Sequence, residues 1–512
     1  GIIFGRTAVV DVGSLVASTL SASTADLLSG RAVFNAAPGG SGAVRNAGTI
    51  ISAPGGSVSL IGTQVSNSGS IATPGGTTGL IAGERVSVDF EGDGLVRYQV
   101  DVGAARALVE QSGQISADGG RVALQAGARD ALVDTVLNVD GVVRARGISQ
   151  RGGEIYLDGG AHGSVLVSGT LDASGAAPGT AGGQLRVLGE NVGLIGGARL
   201  DASGDAGGGS VLVGGNYQGS GPEHNATRAF VGSGVTINAD ALSRGDGGRV
   251  ITWADDWTRF YGTISARGGA AGGDGGFVEV SGKRNLAFSG DVNTGAVLGR
   301  AGMLLLDPEN LNVVSGEAPA PAVTADPAGV FRAPSVGDDI TYYVSASSLD
   351  GASDYTLQAP GTVTFATSVA FNGVASNIIS VTGGTGIIFA GGSTVSTKGA
   401  ALSLTAPDMT LGAITTNVGS PAGGNLKIDA SGTVTQLAAF TLGAGSLIKQ
   451  GTGTLNLSQT NTYTGSTTVN AGTITVSNAA GLGFSAVQVD SGATLYIDGV
   501  TIAPSSINIA GS

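Results

Sequence analysis

Gly119-Gly120-Arg121-Val122-Ala123-Leu124 is a pair of glycines followed by apolar residues two apart, and the phrase recurs down the first half of the chain. Its other copies are Gly55-Gly56-Ser57-Val58-Ser59-Leu60, Gly152-Gly153-Glu154-Ile155-Tyr156-Leu157, Gly182-Gly183-Gln184-Leu185-Arg186-Val187, Gly208-Gly209-Ser210-Val211-Leu212-Val213, Gly247-Gly248-Arg249-Val250-Ile251-Thr252 and Gly275-Gly276-Phe277-Val278-Glu279-Val280. From Gly119 onward the copies start 33, 30, 26, 39 and 28 residues apart, a spread natural for coils with loops of different length. A second phrase usually precedes the first, as in Gly48-Thr49-Ile50, Gly113-Gln114-Ile115, Gly169-Thr170-Leu171 and Gly262-Thr263-Ile264. Each unit therefore reads as strand, Gly-rich turn, strand, with Val, Ile and Leu on one face and Ser, Thr, Arg or Glu on the other. Strands this short are stable only when successive coils stack and bury their inward residues in continuous columns. The expected fold is all-β, a right-handed parallel β-helix (β-solenoid) whose Gly-rich corners supply positive-φ positions. A β-sandwich is the competing reading, but it needs hairpin signals at short intervals rather than one reiterated phrase.

Composition agrees. Of 512 residues 92 are Gly, Pro is only 14 and no Gly-x-y period exists, which excludes helical and collagenous chains. With 41% hydrophobic and 12% charged residues the chain has enough apolar material to fold. The net charge of -13 lacks basic clusters, so nucleic acid and anionic membranes are not expected partners. Residues 1–332 carry 21 Arg and 1 Lys against 30 acids, whereas 333–512 carry no Arg, 3 Lys and 8 Asp. Cys is absent, which removes disulfides and thiolate metal sites and suits a chain that stays unfolded through an oxidising compartment before export. Neither a signal peptide nor an apolar run long enough to span a bilayer is present, and the chain reads as an internal or mature segment of something longer.

Three stretches resemble the exoproteins of bacterial two-partner secretion, including filamentous haemagglutinin-like adhesins. They are Gly1-Ile2-Ile3-Phe4-Gly5-Arg6 through Asp11-Val12-Gly13-Ser14-Leu15-Val16-Ala17-Ser18-Thr19, Gly214-Gly215-Asn216-Tyr217-Gln218-Gly219 with Gly247 to Asp255, and Gly302-Met303-Leu304-Leu305-Leu306-Asp307-Pro308. The opening looks like the continuation of that family's Asn-Pro-Asn-Gly-Ile motif, and the likeness covers about residues 1–315. Lys449-Gln450-Gly451-Thr452-Gly453-Thr454-Leu455-Asn456-Leu457 and Asn461 to Ile474 instead look like the passenger-associated strand repeat of autotransporters, over about residues 445–483. Both resemblances imply a β-helix and an extracellular destination. They differ in export route, one through a separate outer-membrane transporter and one through the chain's own barrel. Pro319, Pro321, Pro327, Pro334 and Pro360 mark residues 316–360 as a boundary segment, with strand-like Ile340 to Val344 and Tyr355 to Leu357, and residues 361–512 as further β-helical repeats.

What these resemblances imply is a fragment of a large secreted or cell-surface adhesin, a rigid rod for attachment to host-cell or matrix glycans or proteins, non-enzymatic and without cofactors. The alternatives are a β-helical polysaccharide lyase or hydrolase, and a purely structural or export-assisting passenger segment. The densest chemical cluster is Trp253-Ala254-Asp255-Asp256-Trp257-Thr258-Arg259-Phe260-Tyr261, where rings suit sugar contact; on a strand Asp255 and Asp256 would point to opposite faces. Partner-contact candidates are Tyr217, His224 and Arg228 on the longest non-repetitive excursion, the integrin-type tripeptide Arg244-Gly245-Asp246, and Trp253, Trp257 and Tyr261. The Asp-Gly-Gly turns match no calcium nonapeptide in register, His162 and His224 lack metal-site companions, and Ser281-Gly282-Lys283-Arg284 fails the phosphate loop. Asn225-Ala226-Thr227 and Asn456-Leu457-Ser458 fit the glycosylation sequon. With no hydrophilic cap apparent, the isolated fragment is expected to self-associate.

Overall fold

The computed structural model describes all residues except 29–30, 39, 41, 91–93, 130–134, 149–151, 316–342, 352 and 511–512. Four of the boundary prolines, Pro319, Pro321, Pro327 and Pro334, and the stretch Ile340 to Tyr342 lie outside the described residues. Among the described residues, contacts divide the chain into a first unit of Gly1–Glu279 with Gly295–Gly302, and a second of Val280–Thr294, 303–315 and 343–510. Each is a right-handed parallel β-helix.

In the first unit every glycine pair of the repeated phrase opens a strand of one sheet: Ser57–Gly62, Arg121–Ala126, Glu154–Asp158, Gln184–Leu188, Ser210–Val213 and Arg249–Ala254. Their parallel register stacks Val58, Thr78, Val122, Ile155, Leu185, Val211 and Val250 in one inward column, each with no exposed surface. The Gly-Thr-Ile phrase forms a second sheet whose inward column runs Ile50, Ile71, Ile115, Val143, Leu171, Leu200, Ile237 and Ile264. A third sheet, from Ile2–Phe4 through Ala43–Asn46 and Gln64–Asn67 to Trp257–Phe260, closes the coil. Burying such columns contributes about 25 cal/mol per Å² of apolar surface, repeated coil after coil.

The glycine pairs divide their labour. In two copies the first takes positive φ, at Gly55 (79°) and Gly119 (74°), where the chain turns the corner. The second is needed for close approach, because a Cβ on Gly120 would overlap the carbonyl oxygen of Gly76 in the coil below.

Three features depart from a uniform parallel stack. Thr77–Ala82 is a full coil strand whose phrase, Gly75-Gly76-Thr77-Thr78-Gly79-Leu80, is masked by its polar and Gly residues; Gly79 is required because the Tyr98 ring occupies the place of a Cβ. Arg31–Asn35, Arg85–Asp89 and Arg97–Val102 form an antiparallel sheet outside the coil. It buries Phe34, Val86, Val88 and Tyr98 against Ile61, Ile81 and Ala123 of the coil's outer face. Finally, the inward column of the third sheet runs from Phe4 through Asn46, Asn67 and Gln111 before it turns apolar again at Val139, Val167 and Leu194.

The second unit repeats the architecture with shorter coils. Val363, Ile387, Met409, Val434, Leu455 and Ile474 make one inward column. Asp354–Ala359 contains the expected strand at Tyr355, and Val344–Ser345 pairs with Phe288 and with Val313 and Val314.

Candidate functional site

Outward residues of the sheet opened by the glycine pairs form a charged stripe in the first unit. Arg121 Nη2 donates to Glu154 Oε1 at 2.9 Å, and the same oxygen accepts Arg186 Nη1 at 2.8 Å. Tyr156 and Asp158 follow on the same strand, with the Tyr156 hydroxyl 2.8 Å from Asp158 Oδ2. These side chains meet because the register sets Glu154 beside Arg121 and Gln184, and Tyr156 beside Arg186.

Over the next rungs the excursion from Gly214 to Ala226 leaves the coil and folds back on the same face. Gly214 takes φ 78°, and the Asn216 side chain accepts the Tyr217 N–H at 2.7 Å to cap a 3-10 turn, Tyr217–Gly219. Gln218 has φ 50°, the left-handed region unusual for a non-Gly residue. Its N–H donates to both oxygens of the fully buried Glu279, at 3.1 and 3.2 Å. Asn225 Nδ2 ties the far limb to Gly219 O at 2.9 Å and to Asp255 Oδ1 at 3.2 Å. Beneath lie Leu212, Ile251 and Trp253, with Phe277 against them. Tyr217 stays 37% exposed, its ring edge-on to Phe277 at 5.7 Å and the Arg249 guanidinium 5.5 Å from its centre.

Two ion pairs join excursion and stripe: Glu223 Oε1 lies 3.5 Å from Arg186 Nε, and His224 Nε2 lies 2.8 Å from Asp158 Oδ1. The Asp158 hydrogen bond raises the His224 imidazole above its usual range, against burial. Burial pushes Asp158 up, but hydrogen bonds from His224, Gly160 N–H and Tyr156 together with the imidazolium charge outweigh it and hold the carboxyl below the usual range. Burial, then the neighbouring Asp158, pushes the Tyr156 phenol well above its ordinary value.

Tyr217 and His224 are thus brought together, whereas Arg228 sits on the next sheet with its Nε 3.8 Å from Asp256 Oδ2. Arg244 and Asp246 are exposed on a separate turn, where Gly245 has φ 96° and Asp246 Oδ1 accepts the Asp274 N–H at 2.8 Å. Trp253, Trp257 and Tyr261 are corrected from contact candidates to core: they are 5%, 2% and 6% exposed. Trp253 underlies the excursion, Trp257 stacks with Arg259 at 4.1 Å, and Tyr261 packs on Phe230 at 6.0 Å. The Asp255 and Asp256 pair belongs to the turn after Arg249–Ala254 rather than to a strand. Asp255 accepts from Trp253 Nε1 and Asn225, and Asp256 faces Arg228. Glu279, Asp158 and Arg186 were invisible as site residues because only the stacking of distant coils brings them under the excursion. Among the described residues no group of three His, Cys, Asp or Glu is arranged to hold a metal ion.

Residues 1–205 match the family model of the TPS secretion domain, and residues 447–476 match that of the passenger-associated-transport-repeat. Solved structures that match include the crystal structure of the HMW1 secretion domain from Haemophilus influenzae, at 26% identity over 58% of this chain and 77% of that one, with a TM-score of 0.48. No curated protein matches. The class is that of secreted, surface-exposed proteins built on a β-helix. Within it, residues 1–205 resemble a two-partner secretion domain and residues 447–476 an autotransporter-type repeat, and a secretion domain of this kind implies a two-partner outer-membrane transporter as the partner in export.

The repeat has a physical rationale in the second unit. Buried Asn461 spans three coils: its Oδ1 accepts Gln436 Nε2 at 2.6 Å and Phe440 N–H at 2.8 Å, and its Nδ2 donates to Gly481 O at 2.6 Å. The Tyr463 hydroxyl lies 2.7 Å from Thr467 Oγ1, which lies 2.8 Å from Ser485 Oγ. Burial pushes the Tyr463 phenol up to about 12 against these bonds. Lys449 points inward and gives its ammonium to Gln450 O and Gly451 O, and burial pushes it below the usual lysine range.

Proposed function

We propose that the chain is a section of a large bacterial adhesin, haemagglutinin-like and non-enzymatic, whose β-helix carries loops that attach to host-cell or matrix glycans or proteins. The observation that carries this reading is the excursion Gly214–Ala226, a strained and multiply anchored loop on a rigid face that holds the Tyr217 ring half-exposed beside Arg249. Contact rather than turnover is favoured by the state of the acids: Glu154, Asp158, Glu223, Asp255 and Asp256 are each engaged by an Arg, His, Trp or Asn. Arg228 and the Arg244-Gly245-Asp246 turn are further contact candidates. In the same reading residues 316–360 separate a haemagglutinin-like part, 1–315, from later repeats, 361–512, that assist export.

The test is attachment of beads carrying the chain to host cells and matrix. Tyr217→Ala and Arg249→Ala are expected to lower attachment while the fold is kept, and Asp246→Glu to lower any integrin-dependent share; unchanged attachment in all three overturns the assignment of these loops. We further propose self-association of the isolated chain. Strand Ser506–Ile509 is exposed at every residue and pairs with Ala486–Val489, so light scattering is expected to show oligomers that grow with concentration.

A further inference from the structure

The excursion is held to the stripe by pins of different chemistry. The Gln218 N–H donates to Glu279, and Asn225 Nδ2 donates to Gly219 O and to Asp255 Oδ1. Glu223 is shared by Arg186 at 3.5 Å and Asn216 Nδ2 at 2.9 Å. The remaining pin, His224 on Asp158, is the one built on an imidazole. It also grips the limb opposite the 3-10 turn.

We propose that Gly214–Ala226 is a strap latched by His224 to Asp158, closed while the imidazole carries its proton and loosened when that proton leaves. The closed strap covers Leu212, Ile251 and Trp253 and fixes the attitude of Tyr217. Charged and titratable groups around the latch all sit on the same face. From the strand Glu154–Asp158 come Glu154, Tyr156 and Asp158 itself; from the neighbouring strands come Arg121 and Arg186; from the strap comes Glu223. Arg121, Arg186, Glu154 and Glu223 neutralise one another in a chain, which leaves Asp158 as the carboxylate that answers the imidazolium.

The direction follows from the two partners. A group raised in the folded state, as His224 is, contributes below its unfolded value near 6.5 and stops contributing as pH climbs through its folded value. Asp158 is lowered, so its share is complete above the ordinary carboxylate range and is lost only on strong acidification. The latch is therefore strongest in mildly acidic solution and weakens through and above neutrality.

Amide hydrogen exchange of the full chain, followed by mass spectrometry from pH 5.5 to 9, tests this. Protection of 214–226 is measured relative to the underlying strand Arg249–Ala254, which cancels the intrinsic rise of exchange with pH. The expected result is a fall in relative protection of roughly two- to tenfold as pH rises, the size of one partly buried ion pair. In His224→Gln and in Asp158→Asn the ratio is expected to be flat and at the high-pH level, with His162→Gln behaving as wild type. A pH-independent ratio in the wild-type chain overturns the latch, and so does the same fall in His224→Gln. The first of these outcomes needs only the wild-type chain, so a variant that fails to fold leaves the test standing. Neither outcome depends on attachment, so the latch and the adhesin reading fail separately.

Discussion

Asn67 gives its side-chain Nδ2 to Gln111 Oε1 at 2.8 Å, one coil to the next, while its own Oδ1 accepts Asn46 Nδ2 at the same distance. All three amides point inward, in a column otherwise made of Phe, Val and Leu. Asn67→Ala removes the middle rung, leaving Gln111 Oε1 without its Asn67 donor and Asn46 Nδ2 with Gly48 O alone, so it is expected to lower stability by about 1–3 kcal/mol in urea unfolding. Replacing both Asn67 and Gln111 by apolar residues leaves Asn46 bonded to Gly48 and removes the unpaired Gln111 oxygen, so it is expected to cost less. Equal losses in the single and double variants would show that the ladder is not coupled.

Gly120 lies so close to the coil beneath that a Cβ would overlap Gly76 O. Gly120→Ala is expected to cost about 1–3 kcal/mol through backbone displacement and to lower Tm accordingly. Gly94, at positive φ and with open space around it, is the contrasting site: Gly94→Ala carries conformational strain and no overlap, about 1–2 kcal/mol.

The β-helix was readable from Gly-Gly-x-apolar because that phrase states two requirements of the coil at once, a corner and an inward pair. The coil at Thr77–Ala82 was not, since Gly79 answers to Tyr98, a residue on an outside strand that no local period reveals. The antiparallel sheet escaped for the same reason: its apolar residues look outward from the coil's own pattern and pack on its back. At the candidate site, Tyr217 and His224 stood out as rare residue types in a non-repetitive stretch. Their anchors, Asp158 and Glu279, lie 66 and 61 residues from His224 and Gln218 and share a face only through coil stacking. The tryptophans misled because aromatic residues beside acids look like a sugar platform, whereas here the excursion and the sheets enclose them.

Asp118 gives the acid limb of the stability profile. Burial pushes its carboxyl up, but hydrogen bonds from the Arg146 side chain and backbone, with the charges of Arg144 and Arg146, hold it below the usual value. A lowered carboxylate contributes above its unfolded value, near pH 4, and loses that contribution as pH falls through the folded value. Urea midpoints measured from pH 6 down to pH 2 are expected to decline less steeply in Asp118→Asn than in the wild type; parallel curves would contradict this.

In the passenger repeat, Asn461→Ala breaks ties to Gln436, Phe440 and Gly481, whereas Tyr463→Phe removes one hydroxyl and leaves Thr467 bonded to Ser485. Losses of about 2–4 and about 1 kcal/mol are expected. If the repeat assists export, the amount of chain reaching the medium should fall in the same order, and an undiminished yield from Asn461→Ala would contradict that role.

Contact without turnover is the central claim, and it is tested by following capture and cleavage in one sample. The immobilised chain is incubated with acidic and neutral cell-surface polysaccharides while bound glycan, new reducing ends and unsaturated products are measured over time. The account predicts saturable capture that drops in Tyr217→Ala, with no products above a chain-free control. Steady product release that survives purification would contradict it and identify the β-helix as a polysaccharide-active enzyme.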